Sequence, residues 1–590
     1  MPELLASLNP GLLLIAAGVL CALLPQRQIR QALTVAVPLL GLVLLMQAPH
    51  GQNLAEARMM GLDLILYRVD NLNFVFALAF LIAVLLNAVY AMHDDNRLHD
   101  GVALIYGGAS VAAVLAGDLM TLFIFWEITA ISSVVVILQA RTRAAYGASM
   151  RYLAIQILSG VLLLNGAAWY LNANDTLMLP GQVGEGIDLD GPGAWLLFIA
   201  FGIKAAFPLL HSWLVDAYPK ATVTGAVVLS AFTTKLAVYT LARFFPGETP
   251  LVWLGAAMAL FPVFLALIEN DLRKVLALGL VSQNGFMLAA IGVASDNHMQ
   301  TALNGAAGHA FVCVIYMGLL FMVTGALIHR TGTAKISELG GLFRSMPVTA
   351  IFAIIGGLTL AAVPLFSAFA TKSLIIEAVK SSSAFWVWIS LYAASAGVLA
   401  VGALKVPFHA FFGRDSGKRV DEAPFNMLLA MGLAALLCIL VGLPGVIPGF
   451  GYEVLYNMLP YPEAARGYKL FTASHVLTQL QLLVLALLAF MLLRRLGLYP
   501  SEKPGLVLDS DWIYRRVGYD LASWANRVWK KAGPAMSAGL NRGGARLYHR
   551  IEAASSPQGQ LSRGLVSQSM AVWTAVILGI VLILTLIVAS

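Results

Sequence analysis

Residues Phe201 to Tyr218 form an apolar run, Phe-Gly-Ile-Lys-Ala-Ala-Phe-Pro-Leu-Leu-His-Ser-Trp-Leu-Val-Asp-Ala-Tyr, in which Lys204 is closely followed by Pro208. An ammonium at membrane depth is costly, and a proline there frees a backbone carbonyl that something else must satisfy. The run therefore predicts a helix broken beside a protonatable lysine. Ala205-Ala-Phe-Pro-Leu209 returns as Ala361-Ala-Val-Pro-Leu365, again with a lysine nearby, Lys372. Two such stretches predict an internal repeat.

A chain of 590 residues that is 59% hydrophobic and 11% charged is not an ordinary soluble globule. It reads as an all-α polytopic membrane protein with about 16 transmembrane helices, counting apolar runs of about 20 residues. The first run, Pro10 to Leu24, has neither a basic region ahead of it nor a small-residue cleavage site, so a retained span is expected rather than a signal peptide. Cys21, Cys313 and Cys438 lie far apart in apolar runs, which offers neither a disulfide framework nor a zinc spacing. The net charge of +7 falls mostly in short loops, where it sets topology, so nucleic-acid binding has no support.

The predicted organisation is three N-terminal helices in 1–100, a first repeat in 101–245, a second in 250–411 and two further helices in 420–495. A polar, basic stretch at 500–568 follows, in which Trp512, Tyr514, Trp524 and Trp529 interleave with Arg515, Arg516, Arg527, Lys530 and Lys531. That pattern predicts an amphipathic segment lying on the cytoplasmic surface, anchored by a final span at 570–590. Basic residues such as Arg27, Arg97, Arg141, Lys220, Arg273, Arg344 and Arg414 fall in loops of one parity, which predicts that both termini are outside the cytoplasm. Each repeat holds five helices, an odd number, so the second starts on the opposite face and the repeat is inverted. Lys204 and Lys372 are expected at the matching place, the fourth helix of each block.

Other ionisable residues also fall inside apolar runs. Glu127 is expected to pair with Lys204, since an isolated buried carboxylate would take up a proton; a purely structural ion pair is the alternative. Lys235 sits in mid-run, against a reading in which it snorkels to an interface. His309 lies between the lysine-bearing helices, although a lone histidine in an apolar helix is often only a packing residue. His211 follows the break, where it either lines a cavity or lies near the surface. Lys405, with His409, closes the thirteenth span, where snorkelling is the favoured explanation. Glu127, Lys204, Lys235, His309, Lys372 and Lys405 together make a candidate relay, in which each group shifts its proton affinity as its neighbour changes charge. No nucleotide, haem, flavin or metal motif is present, and no cofactor is expected.

These residues carry a resemblance. Phe125-Trp-Glu127, Lys204 with Phe207 to Trp213, Thr234-Lys235, Asp271 to Ala277 with Val281-Ser-Gln283, Leu339-Gly-Gly-Leu342 and Ser367 to Lys372 resemble the proton-translocating antiporter-like subunits. That family includes the A-type and D-type subunits of Mrp-type sodium/proton antiporters, the large membrane-arm subunits of respiratory complex I, and membrane-bound hydrogenase subunits. The resemblance covers residues 60 to 450, and the wording of Asp216 to Gly225 and Ser230 to Lys235 is closest to the D-type subunits. It implies that Glu127 and Lys204 are the charge pair of a first half-channel, Lys235 the connecting residue and Lys372 the terminal lysine of a second. One departure stands out: where the family commonly has two histidines four apart and then a lysine, this chain has His309, Cys313 and Met317. Either water, His309 or Tyr316 replaces the missing lysine, or the path is altered. The seam is expected to be wet, with Ser282, Gln283 and Asn284 supplying polar groups, so that Met317→Lys would be tolerated.

The function implied is that of a non-enzymatic subunit of a hetero-oligomeric cation/proton antiporter, exchanging protons for sodium or a similar cation across a bacterial inner membrane. The alternatives are a pump module driven by a redox, hydrogenase or carbon-dioxide-hydrating partner, and a structural subunit whose relay has decayed.

Overall fold

The computed structural model describes residues 8–59, 61–445 and 450–497, with parts of 520–530. The chain divides into two units, Met1–Asp509 and Ser510–Ser590. In the second, the described residues from Asp520 to Lys530 are helical and mostly exposed. Most of the expected amphipathic segment and all of the final span lie outside the described residues.

The first unit is built of apolar helices. Helices α1 (Pro10–Leu23), α2 (Arg27–Gln47) and α3 (Asn71–Ala91) precede the first block. That block holds α4 (Arg97–Val114), α5 (Leu119–Leu138), α6 (Arg143–Asn174), the pair α7 (Pro192–Ala205) and α8 (Ser212–Ala217), and the pair α9 (Val223–Ala231) and α10 (Thr233–Phe244). The second holds α11 (Thr249–Ile268), α12 (Leu272–Gly292), α13 (Met299–Thr331), the pair α14 (Pro347–Leu360) and α15 (Ser367–Ser381), and α16 (Phe385–Val398). The last of these continues through π-helical turns at Leu399–Lys405 and Phe408–Phe412. Helices α17 (Phe425–Leu440), α18 (Tyr452–Met458), α19 (Pro462–Gly467) and α20 (Ala473–Arg495) complete the unit. Among the described residues ten helices are long and apolar enough to cross a membrane.

Small residues let neighbouring helices approach closely. Added Cβ atoms on Gly11 and Gly18 of α1 would fall 2.5 and 2.6 Å from backbone atoms of α4, at Ala112 and Gly101. Membrane helices associate through such contacts, because lipid supplies no hydrophobic drive between them.

Both breaks have the same backbone. The N–H groups of Ala206 and Phe207 reach back to the carbonyls of Ile203 and Gly202, and those of Ala362 and Val363 reach back to Thr359 and Leu358. This is a Schellman ending, with Ala206 (φ 69°) and Ala362 (φ 54°) in the left-handed region. A turn follows at once, closed by Leu210 N–H to Phe207 O and by Phe366 N–H to Val363 O. Proline at its second position and a positive φ at its third, Leu209 and Leu365, form the type II pattern.

A second element also recurs. Asp118 and Asp271 cap α5 and α12 through their side chains. Beside each, the backbone bridges a returning loop, Asp118 to Met178 and Asp271 to Lys335. The two blocks are therefore built to one plan.

Two findings depart from expectation. The stretch before α3 is an antiparallel hairpin, β1 (Asn53–Met59) with β2 (Leu62–Arg68), where no strand was foreseen. It is held against the α4–α5 turn by the Ile65 N–H, which donates to Asp118 Oδ2 at 2.7 Å. The two lysines also do not match in detail: Lys204 precedes its break, at the end of α7, whereas Lys372 follows its break, in α15. The shared Pro motif aligns the breaks, and the lysines stand on opposite sides of them.

Candidate functional site

Lys204 is fully buried. Its ammonium donates to the Trp126 carbonyl at 2.9 Å and to Thr129 Oγ1 at 3.3 Å, and it lies 4.0 Å from the centre of the Trp126 ring. A carbonyl, a hydroxyl and an aromatic face are what a buried ammonium needs in place of water. The ring is positioned by its own N–H, which donates to Ser159 Oγ, while Ser159 donates to the Ala200 carbonyl of α7. Glu127, on the same helix as Trp126, is within Coulombic reach of Lys204. The two act on each other through space: Lys204 hydrogen-bonds neutral acceptors, and Glu127 Oε1 is buried without a hydrogen-bond partner. Glu127 instead turns toward Gly160 of α6, which leaves room for it.

Two sets of polar contacts lie between this break and the second block. Asn284 Nδ2 donates to the Ala205 carbonyl at 3.2 Å, satisfying an acceptor that the break frees. Next to it on α12, Gln283 Oε1 accepts from Tyr316 at 3.1 Å and lies 3.1 Å from His309 Nε2. The other ring nitrogen of His309 lies 2.9 Å from Thr371 Oγ1, and Thr371 immediately precedes Lys372. Lys372 is 3% exposed, with its ammonium 4.4 Å from the centre of the Phe286 ring. Ser282 stands aside from these contacts and donates to the Ala259 carbonyl of α11.

Lys235 is fully buried just past the kink between α9 and α10, 3.4 Å from Thr234 Oγ1 and within Coulombic reach of His309. The kink is stabilised by the Tyr106 hydroxyl, which accepts the Thr233 N–H at 3.2 Å. His211 is buried beyond the first break. Lys405 stands apart from this group: it donates to the Ala266, Leu267 and Glu269 carbonyls at 3.1, 2.8 and 2.6 Å, where α11 ends. A lysine on terminal carbonyls is a helix cap.

Thus Glu127 and Lys204 lie together at the first break, His309 and Lys372 lie together in the second block, and Lys235 is within reach of His309. Sequence reading missed Thr129, Thr371, Gly160 and the Trp126 carbonyl. Threonines and glycines are common in membrane helices, and a backbone carbonyl has no signature at all.

Residues 116–397 match the family model described as NADH:quinone oxidoreductase/Mrp antiporter, TM. The A subunit of the Na(+)/H(+) antiporter of Bacillus subtilis (strain 168) is 29% identical over 404 residues, 62% of this chain and 50% of that protein. The A1 subunit of the Na(+)/H(+) antiporter of Staphylococcus aureus (strain JH9) is 29% identical over 386 residues, 58% of this chain and 47% of that protein. The chain spans about half the length of these curated relatives.

Among solved structures, the Mrp complex from Dietzia sp. DQ12-45-1b aligns with a TM-score of 0.63 at 21% identity, covering 84% of this chain and 97% of that one. The membrane-bound sulfane sulfur reductase, an archaeal respiratory membrane complex, aligns with a TM-score of 0.67 at 20% identity, covering 97% of this chain and 99% of that one. These likenesses show the fold, that of a multi-pass membrane protein.

Proposed function

We propose that this chain is a proton-conducting subunit of a hetero-oligomeric monovalent cation/proton antiporter in a bacterial inner membrane. The observation that carries this reading is the set of buried ionisable groups Lys204, Lys235, His309 and Lys372, with His309 bonded to Gln283 and Thr371 between the lysine-bearing helices. Buried ionisable groups inside a bilayer are costly, and a proton pathway is one use that offsets the cost. In this reading Glu127 biases Lys204, Lys235 sits where it senses His309, and Lys372 is the last group of the line. Lys405 supports the α11 end rather than carrying a proton. In this reading its role is transport rather than enzymatic catalysis.

The partners are the other members of such a complex, and sodium is the first cation to test. The wording of Asp216 to Gly225 supports a D-type position, while the curated relatives described above are named as A-type subunits. Loop charge supports termini outside the cytoplasm. A second reading, a pump module driven by a redox partner, is favoured by the wider overlap with the sulfane sulfur reductase complex than with the Mrp complex, 97% against 84% of this chain.

Lys204→Ala and Gln283→Leu, each in the assembled complex in vesicles, test the first reading. Both are expected to abolish sodium-dependent proton movement, and wild-type antiport in Lys204→Ala overturns it. Co-purifying iron–sulfur or flavin subunits would move the assignment to the second reading.

A further inference from the structure

Lys235 stands in the first turn of a half-helix whose start is fixed by other helices. α9 ends at Ala231 and α10 begins at Thr233, with Phe232 between them at φ −104° and ψ −65°. The ladder resumes where the Leu236 N–H meets the Phe232 carbonyl at 2.9 Å. A continuous helix would bond the Thr233 N–H to the Leu229 carbonyl, four residues back. Here it goes to the Tyr106 hydroxyl of α4, at 3.2 Å. A backbone group freed inside a bilayer has to find such a partner, since no bulk water is at hand.

The same phenol bonds Thr233 Oγ1. Its oxygen already accepts the backbone N–H, and among the described residues Thr233 Oγ1 is the one acceptor for its proton, so Tyr106 donates and Thr233 accepts. The Thr233 proton is left for a third group, and the Tyr152 hydroxyl of α6 lies beside it. Tyr152 is 2.9 Å from Ser133 Oγ of α5, and Ser133 gives its own proton to the Ala130 carbonyl at 2.8 Å, so here Tyr152 donates. The hydroxyls take a single order, Tyr106 to Thr233 to Tyr152 to Ser133, across four helices, and all four side chains are buried. Rings hold the break as well: Phe232 packs edge-on against Tyr106 and Phe80, with centroids 5.0 and 5.4 Å apart.

We propose that Tyr106 and Thr233 are positioning residues for Lys235. Their hydroxyl pair takes the place of a rung of the helix ladder, and so sets where α10 begins and how the lysine two residues further on is aimed. In the observed arrangement Lys235 is within reach of His309 and Cys313 of α13. Were the ladder to close across Phe232, the first turn of α10 would turn about the helix axis and carry Lys235 away from them. The importance for transport rests on the function proposed above, in which Lys235 belongs to the relay; the clasp itself rests on the hydrogen bonds.

The test uses the assembled complex. Tyr106→Phe keeps the ring and removes the hydroxyl. Hydrogen exchange in the segment 231–236 is expected to quicken about tenfold, the loss of one hydrogen bond. Antiport in vesicles, normalised to the amount of assembled complex, is expected to fall at least tenfold. A pair of variants at 233 separates the hydroxyl from packing: Thr233→Val keeps the shape and loses the hydroxyl, whereas Thr233→Ser keeps the hydroxyl and loses a methyl group. The clasp requires Ser to stay within about twofold of wild type and Val to lose antiport several-fold; packing alone would make Val the milder change. Unchanged exchange in Tyr106→Phe, faster exchange with wild-type antiport, or Val milder than Ser would overturn the proposal. Should Tyr106→Phe fail to assemble, the pair at 233 decides. Exchange and the order of Ser and Val are read independently of Lys204→Ala, so a failure of the proposed function and a failure of the clasp are told apart.

Discussion

Glu127 Oε1 occupies the space that a side chain at position 160 would need: a Cβ on Gly160 would fall 1.8 Å from it. The glycine of one helix thereby sets where the carboxylate of another can rest, and so how strongly it acts on Lys204.

Gly160→Ala is expected to displace Glu127 without adding or removing a charge. Proton-coupled transport in vesicles should fall at least tenfold, while the complex still assembles. Full activity in this variant would show that the position of Glu127 is not critical.

Ala206 and Ala362 hold left-handed backbone that glycine adopts without penalty. Relief of ~1–2 kcal/mol, partly offset by a freer unfolded chain, should leave each of Ala206→Gly and Ala362→Gly more stable by up to about 1 kcal/mol. A β-branched Val at either place should lower stability. Melting temperatures of the purified complex decide this, and a clear drop on Ala206→Gly would mean that the methyl group packs for more than the backbone strains.

Arg243 is fully buried and makes two bonds to Asp70, at 2.7 and 2.5 Å, while Asp70 also caps α3. Asn at 70 keeps the cap but removes the charge. Asp70→Asn should therefore cost about 3–5 kcal/mol, because it leaves a buried guanidinium uncompensated. Breaking the exposed Arg58–Asp63 pair should cost at most about 1 kcal/mol. Similar melting temperatures for the two variants would contradict this ranking.

Met317 is fully buried in the apolar core, with its terminal methyl beside Gly279 of α12. The hydrogen bonds of α13 at this depth run through His309 and Tyr316 to Gln283 and Thr371. The expectation that a lysine would be tolerated at 317 is therefore revised: Met317→Lys should lose several kcal/mol for an unpaired buried ammonium. Poor assembly or a much lowered Tm is the expected result. Normal expression and stability would indicate that the seam extends to Met317.

The amino-acid sequence by itself determined the membrane class, the two breaks and the buried charges. Apolar runs, a Pro motif repeated at Ala205–Leu209 and Ala361–Leu365, and lysines in hydrophobic surroundings are local signals, and local signals are legible in one dimension. The resemblance further implies that Met317 stands where the antiporter-like subunits commonly carry a lysine. Only the tertiary structure decided which groups meet. That Lys204 rests on the Trp126 carbonyl, that Asn284 satisfies Ala205, that Lys405 caps α11 and that Gly160 makes room for Glu127 are contacts between helices distant in the chain. Their partners are backbone atoms, glycines and threonines, whose identities carry no signal until packing brings them within hydrogen-bonding distance.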